Sequence, residues 1–244
     1  MVIIYAAQTS TIPKLYDNLL ISFYHLRNEK KKIYSFLEGF LNYDKVIIDS
    51  GGFTAMRKNI YTKQYMESYL RFLDVVEGVV EGYFSLDVPG NFEETLKNHE
   101  WMLEQGYKPI PVIHYRYTIE QCKEIVKNSD FYAVGGLVPY FRRANDFQKA
   151  KVIKWVIDIS EQLKGNIHLF GVGTSIFSFP KEWIKKYVKS VDFSIHRRYK
   201  IIETKGKKYN FRMNVLFYGN KTSCLIKGGY YTIEYELKRW LDED

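Results

Sequence analysis

Three acidic residues stand where short apolar runs end. Asp49 closes KVIID (45–49), Asp87 closes GYFSLD (82–87), and Asp192 lies within KSVDFS (189–194). A carboxylate so placed can move a proton, accept hydrogen bonds from a ligand's N–H groups, or attack an electrophilic carbon. His114 ends PIPVIH (109–114), and glycines gather at further run ends: Gly51-Gly52 after Asp49-Ser50, Gly135-Gly136, and Gly171-Val172-Gly173. Each feature alone has an ordinary structural role. A strand-end Asp commonly caps a turn, a glycine pair commonly makes one, and a histidine is commonly bonded to a carbonyl. Three acids and three glycine-rich turns at successive run ends argue for one shared pocket.

The elements that must position these residues are legible in the apolar pattern. Strands are expected at 2–6, 20–25, 45–49, 82–87, 109–114, 131–135, 166–171 and 189–194, with helices near 29–41, 61–79, 91–105, 118–127, 144–163 and 179–188. Asn91 before FEET and Thr118 before IEQC read as helix N-caps with early acids. The link TIPKLYDN, between the first two strands, is the weakest helix. Several strands are apolar at consecutive positions, as expected when helices cover both faces of a parallel sheet. Eight such strands alternating with helices predict a (β/α)8 TIM barrel, with an open doubly wound sheet as competitor. No Gly-rich dinucleotide fingerprint follows the first strand, which weakens that competitor. In a barrel, chemistry gathers at the C-terminal strand ends, where the acids lie. Residues 1–200 form the expected barrel domain. Residues 201–244, a strand pair or loop followed by a terminal helix, form a short basic C-terminal extension packed on the same domain.

With 244 residues and 46% hydrophobic content, the chain can bury a full core. Cys122 and Cys224 are its two cysteines, in no metal-type spacing, so neither a disulfide framework nor a Cys-based zinc site is expected. No signal peptide and no run of about 18 apolar residues is visible, which makes a soluble cytoplasmic protein without membrane partners the expectation. A net charge of +8, a pI near 9.2 and 17% aromatic residues are compatible with a polyanionic partner.

Within this frame DSGGF (49–53) resembles the signature of the tRNA-guanine transglycosylase superfamily, enzymes that exchange guanine for a 7-deazaguanine on (β/α)8 barrels. FSLD (84–87) resembles the family strand that ends in the base-recognising aspartate. AVGGL (133–137) resembles its Gly-Gly-Leu turn, HLFGVGT (168–174) its Leu-Met-Gly-Val-Gly segment, and SVDFS (190–194) lies where the family carries its nucleophile. The resemblance implies double displacement through a covalent glycosyl-enzyme, with Asp192 as nucleophile and Asp49 handling a proton near the base. Ser50, Gly51 and Gly52 would line the base site, the glycines letting a flat purine approach the backbone. Phe53 would stack on the purine, and Asp87 would accept from its N1–H and exocyclic amine. Gly135 or Gly136 would offer an N–H to O6, His114 would meet O6 or the 7-substituent, and Gly171 and Gly173 would complete the pocket wall. The resemblance implies no cofactor.

Two features depart from the family pattern. The tRNA enzymes read Asp-x-Phe-Asp around the nucleophile, whereas here only Asp192 is present in Asp192-Phe193-Ser194-Ile195-His196. The family's three-cysteine, one-histidine zinc site is absent, so no structural metal is expected. A short, basic, zinc-free chain is most similar to the compact relatives of phages and bacteria that insert 7-deazaguanines into DNA. DNA is therefore the favoured partner and tRNA the alternative, with host cytoplasm as the location if phage-encoded. His196, Arg197, Arg198 and Lys200 in HRRYK, and Lys205, Lys207 and Lys208 in KGKK, would grip flanking phosphates, unless these runs are solvated surface loops. A nucleoside hydrolase or salvage enzyme, and a non-catalytic nucleic-acid-binding paralogue, are the other functions considered. The 7-substituent, target sequence and oligomeric state are not encoded in any motif.

Overall fold

In the computed structural model, residues 2–8, 17–27, 33–41, 43–127, 129–142, 145–193, 237 and 240–242 are described. The apolar runs become β1 (Ile3–Gln8), β2 (Asn18–Ser22), β3 (Lys45–Asp49), β4 (Gly82–Tyr83), β5 (Val112–His114), β6 (Phe131–Gly135), β7 (Asn166–Leu169) and β8 (Val188–Phe193). The helices are α1 (Phe23–Leu26), α2 (Ile33–Phe40), α3 (Gly52–Arg57), α4 (Lys63–Val76), α5 (Phe92–Glu104), α6 (Ile119–Val126), α7 (Val138–Arg142), α8 (Asp146–Leu163) and α9 (Lys181–Tyr187). A 3-10 helix, Gly173–Ser178, precedes α9. The predicted caps are in place. Asn91 accepts from the Glu94 N–H, and Thr118 forms a reciprocal capping box with Gln121.

All strand pairings are parallel, in the order β4-β3-β2-β1-β8-β7-β6-β5. A bridge between Phe84 and Ile110 joins the two ends of that order. Ile110 N–H donates to the Tyr83 carbonyl at 2.8 Å and Ser85 N–H to the Ile110 carbonyl at 2.9 Å, so the sheet closes on itself. Closure selects the TIM barrel over the open doubly wound sheet. β4 and β5 are short because the closing seam is this single bridge and not a long ladder.

Side chains from alternate positions fill the barrel. Tyr5, Leu20, Ile47, Phe84, Val112 and Ala133 form its interior cluster, with Phe170 packed against them. The intervening positions face outward into two clusters under the helices, Ile4, Val134, Leu169 and Val191 into one and Leu19, Ile21, Val46 and Ile48 into the other. Burial on both faces explains the consecutive apolar residues in the sequence.

Two departures have clear causes. The expected strand 20–25 ends at Ser22, because Phe23 and Leu26, three apart on one helical face, pack as a single turn into the outer cluster. α3, α7 and the 3-10 helix follow strand ends directly and are too short to show a helical period in sequence. The helix proposed for TIPKLYDN falls mostly outside the described residues, as do the strand pair of the extension and the basic positions His196, Arg197, Arg198, Lys200, Lys205, Lys207 and Lys208. At the chain's end, Leu237 and Leu241 are buried in the outer cluster and Trp240 meets Phe177 edge-on at 5.3 Å.

Phe84 sits at the closing seam, fully buried, with its ring 4.5 Å from Phe170 and 5.1 Å from His168. Truncation by Phe84→Ala is expected to cost about 3–5 kcal/mol, the range for a large core aromatic. Urea denaturation checks this; a loss below about 1 kcal/mol would mean that the interior refills around the gap.

Candidate active site at the barrel mouth

Asp49 ends β3 two residues beyond the interior Ile47, so strand alternation turns its carboxylate into the barrel mouth. Burial pushes its pKa up to about 7; the negative charge of Asp87 adds to the rise and that of Asp192 contributes less, while the Gly51 N–H opposes it. Asp49 thus holds a proton that is exchangeable near neutral pH.

Ser50 is fully buried and ties the mouth together. Its hydroxyl donates to Asp87 Oδ1 at 3.2 Å and accepts from the Gly52 N–H at 3.3 Å, while its carbonyl accepts from the Tyr65 hydroxyl at 2.6 Å. The two glycines that follow are required by the packing of the chain itself. Gly51 has φ +72°, and a Cβ there would stand 2.6 Å from Ser22 Oγ and Tyr24 Cβ; a Cβ on Gly52 would stand 2.7 Å from the Asp87 carbonyl oxygen. On these sides protein atoms already occupy the space.

Asp87 follows β4 and is gripped from a second side. His114, at the end of β5, places Nε2 2.9 Å from Asp87 Oδ2. Facing a carboxylate, that nitrogen donates. The His114 ring is buried, its Nδ1 has no hydrogen-bond partner, and it lies against Gly135 and Gly136, where a Cβ would come within 3.2 Å of that nitrogen. What His114 touches is therefore Asp87, which it orients; its Nε2 is already engaged and is not a free ligand contact.

Asp192 lies on β8, facing inward. Its Oδ1 accepts the Gly171 N–H at 2.6 Å, from a turn with φ +66°. Gly173 opens the 3-10 helix, with open space where a Cβ would be. Phe53 stands on the first turn of α3 with 54% of its surface exposed, and the Arg57 guanidinium lies 5.6 Å from its ring. The mouth therefore unites Ser50, Asp87 and His114 through direct hydrogen bonds, and brings Asp87 and Asp192 close enough for their charges to act on Asp49. Phe53, three residues after Ser50, presents a half-exposed ring. Among the described residues, no group of three His, Cys, Asp or Glu side chains is arranged to hold a metal ion, and no helix is long and apolar enough to cross a membrane.

Tyr65 and the inward-facing pair His168 and Ser190 were not anticipated. His168 and Ser190 share the inward alternation of Phe170 and Asp192, and that parity is the signal that could have found them. A cleft of about 610 Å³ lies elsewhere, between α5 and α6, lined by Leu96, His99, Leu103, Ile110 and Phe131 among others; none of the three acids borders it.

No protein-family model and no curated protein matches the chain. Solved structures similar to it include a protein described as a fructose-1,6-biphosphate aldolase from Coccidioides immitis, with TM-score 0.57 and 10% identity, covering 97% of this chain and 91% of that one. The YdjI aldolase from Escherichia coli K12 is similar with TM-score 0.53 and 11% identity, over 97% and 90% of the two chains. Tryptophan synthase subunit alpha from Legionella pneumophila str. Paris is similar with TM-score 0.50 and 10% identity, over 95% and 92%. At this identity the likeness shows the barrel fold alone. None of these three is a transglycosylase.

The raised pKa of Asp49 has a definite consequence for stability. The native state binds this proton more tightly than the unfolded chain does, so the stabilisation is complete below about pH 4 and is lost as pH rises through about 7. Asp49→Asn removes that loss, so its stability from urea denaturation, relative to wild type, should climb between pH 5 and pH 8 by up to roughly 3 kcal/mol. Parallel midpoints at the two pH values would show that Asp49 does not hold the proton.

Proposed function

We propose that the chain is a nucleic-acid base-exchange transglycosylase that replaces guanine with a 7-deazaguanine, in DNA before tRNA. The observation that carries this reading is the meeting, in one barrel mouth, of the three acids whose sequence surroundings resemble that family, with Asp49, raised by burial and by the charges of the other two, holding a proton exchangeable near neutral pH. The similar solved structures lend the reading only its barrel.

In the proposed reaction an oxygen of Asp192 attacks the sugar C1′ as the C1′–N9 bond breaks, giving a glycosyl ester. A carboxylate suits a cationic, oxocarbenium-like centre because it first stabilises the charge and then bonds to it. The leaving guanine takes its N9 proton from Asp49. The incoming 7-deazaguanine returns an N9 proton to Asp49, its N9 attacks C1′, and the C1′–O bond breaks to restore the Asp192 carboxylate. A group titrating near neutrality can serve in both directions. Asp87, oriented by Ser50 and His114, accepts from the N1–H and the exocyclic amine of a guanine-like edge. The exposed Phe53 ring supplies a stacking face.

The preference for DNA rests on the net charge of +8 and the absence of cysteines enough for the zinc region of the tRNA enzymes. A duplex target would have to be flipped out of its stack, at a cost of a few kcal/mol.

The test is incorporation of radiolabelled guanine or 7-deazaguanine into acid-precipitable DNA or unmodified tRNA. Label in DNA is the expected result, and label in tRNA alone would move the substrate to the alternative. Free base released from nucleosides with no label in either polymer would favour a hydrolase. Asp192→Ala is expected to lower exchange by at least about a thousandfold with the fold intact by circular dichroism. Exchange at the wild-type rate would remove Asp192 from the mechanism.

A further inference from the structure

Below Asp192, inside the barrel, is a polar pair that the proposed reaction does not yet use. His168 is fully buried on β7, its ring edge-on to Phe170 at 4.6 Å and tilted against Phe84 at 5.1 Å. Its Nδ1 lies 2.8 Å from the Ser190 hydroxyl. Its Nε2 has no hydrogen-bond partner and points toward Asp192 Oδ1 at 3.8 Å. Buried polar atoms are seldom left unpartnered, and an exception beside reacting groups asks for an explanation. The backbone is adapted to this arrangement. β7 and β8 slip register between Ile167 and His168, so Ile167 pairs with Val188 but His168 pairs with Ser190. The residue skipped, Lys189, is exposed, and the slip sets Ser190 and Asp192 on the inward side next to the imidazole.

We infer that His168, locked by Ser190, is a positioning residue that fixes which oxygen of Asp192 reacts; the inference rests on the transglycosylase reading above. A bare Nε2 lone pair facing a carboxylate would be repulsive, so the ring takes the Nε2–H tautomer and Nδ1 accepts from the Ser190 hydroxyl. The Nε2–H and the Gly171 N–H then both address Oδ1. That oxygen is held as the spectator, the carboxylate plane is set, and Oδ2 is the atom presented to C1′. The 3.8 Å gap is the loose form of a contact that shortens when the carboxylate is drawn into the reaction.

Long-range proton–nitrogen correlation spectra of the full chain, uniformly labelled with ¹⁵N, separate the two tautomers without any substrate. A single Nε2–H form is expected for His168 in the wild type, relaxing to a mixture in Asp192→Ala. An Nδ1–H form in the wild type, or a spectrum that Asp192→Ala leaves unchanged, would overturn the inference. Ser190→Ala, which removes the hydroxyl that locks the ring and little else, should lower kcat for exchange roughly tenfold while KM for the free base stays within about twofold. An unaltered kcat overturns the inference as well. A wild-type protein that exchanges no base would defeat the transglycosylase reading only, because the spectra still decide how the imidazole and Asp192 are coupled.

Discussion

Crowding of like charge in a water-poor mouth is the constraint around which this barrel is organised. Three carboxylates converge where the sheet opens, and burial removes the water that would screen them. The fold meets the problem by giving each acid a different environment. Gly171 N–H is aimed at Asp192, and the Ser50 hydroxyl and His114 at Asp87, whereas at Asp49 burial, with the charge of Asp87 added, outweighs the Gly51 N–H and favours a proton. Neighbouring acids made unequal by their surroundings are how one site can run both acid–base and nucleophilic steps.

Those donors are in place because of backbone geometry well outside the acids. Gly51 and Gly52 let the turn after β3 fold down against Ser22 and the Asp87 carbonyl, and that descent brings the Ser50 hydroxyl onto Asp87. Tyr65, from α4, fastens the same turn through the Ser50 carbonyl. On the opposite side, a left-handed turn at Gly171 directs its N–H at Asp192. The barrel interior below is filled by Tyr5, Phe84 and Phe170 around His168, so the mouth has a rigid floor.

Most of the barrel was legible in sequence because the signal it rests on is coarse. Eight apolar runs separated by helical periods survive errors of a few residues at their ends, and strand-end acids stay at strand ends when a boundary moves. Finer features were lost for physical reasons. SFYH has the pattern of a strand because Phe23 and Leu26 are apolar in either conformation, and a single turn carries no period. His168 and Ser190 went unnoticed because both faces of a parallel barrel are apolar, which hides the alternation that would have shown them facing inward. The bond between His114 and Asp87 is hidden for a related reason. Sequence places a residue at a strand end but does not say whether its ring meets solvent or, as here, a neighbouring carboxylate.

The sign of the charge in the mouth also limits what can enter it. The fold is shared with an aldolase and a tryptophan synthase subunit at 10–11% identity, so the barrel by itself selects no chemistry. What selects is the set of groups at the strand ends. The carboxylates of Asp87 and Asp192, joined by Asp49 whenever it gives up its proton, repel a phosphate and favour a group that donates hydrogen bonds or gathers positive charge. For the proposed reaction, the base edge facing Asp87 and the sugar carbon facing Asp192 satisfy this, since one donates N–H groups and the other turns cationic as its bond to N9 breaks. The flanking phosphates do not. They must stay outside, so the nucleotide would enter with its base leading and its backbone held away from the acid-lined mouth.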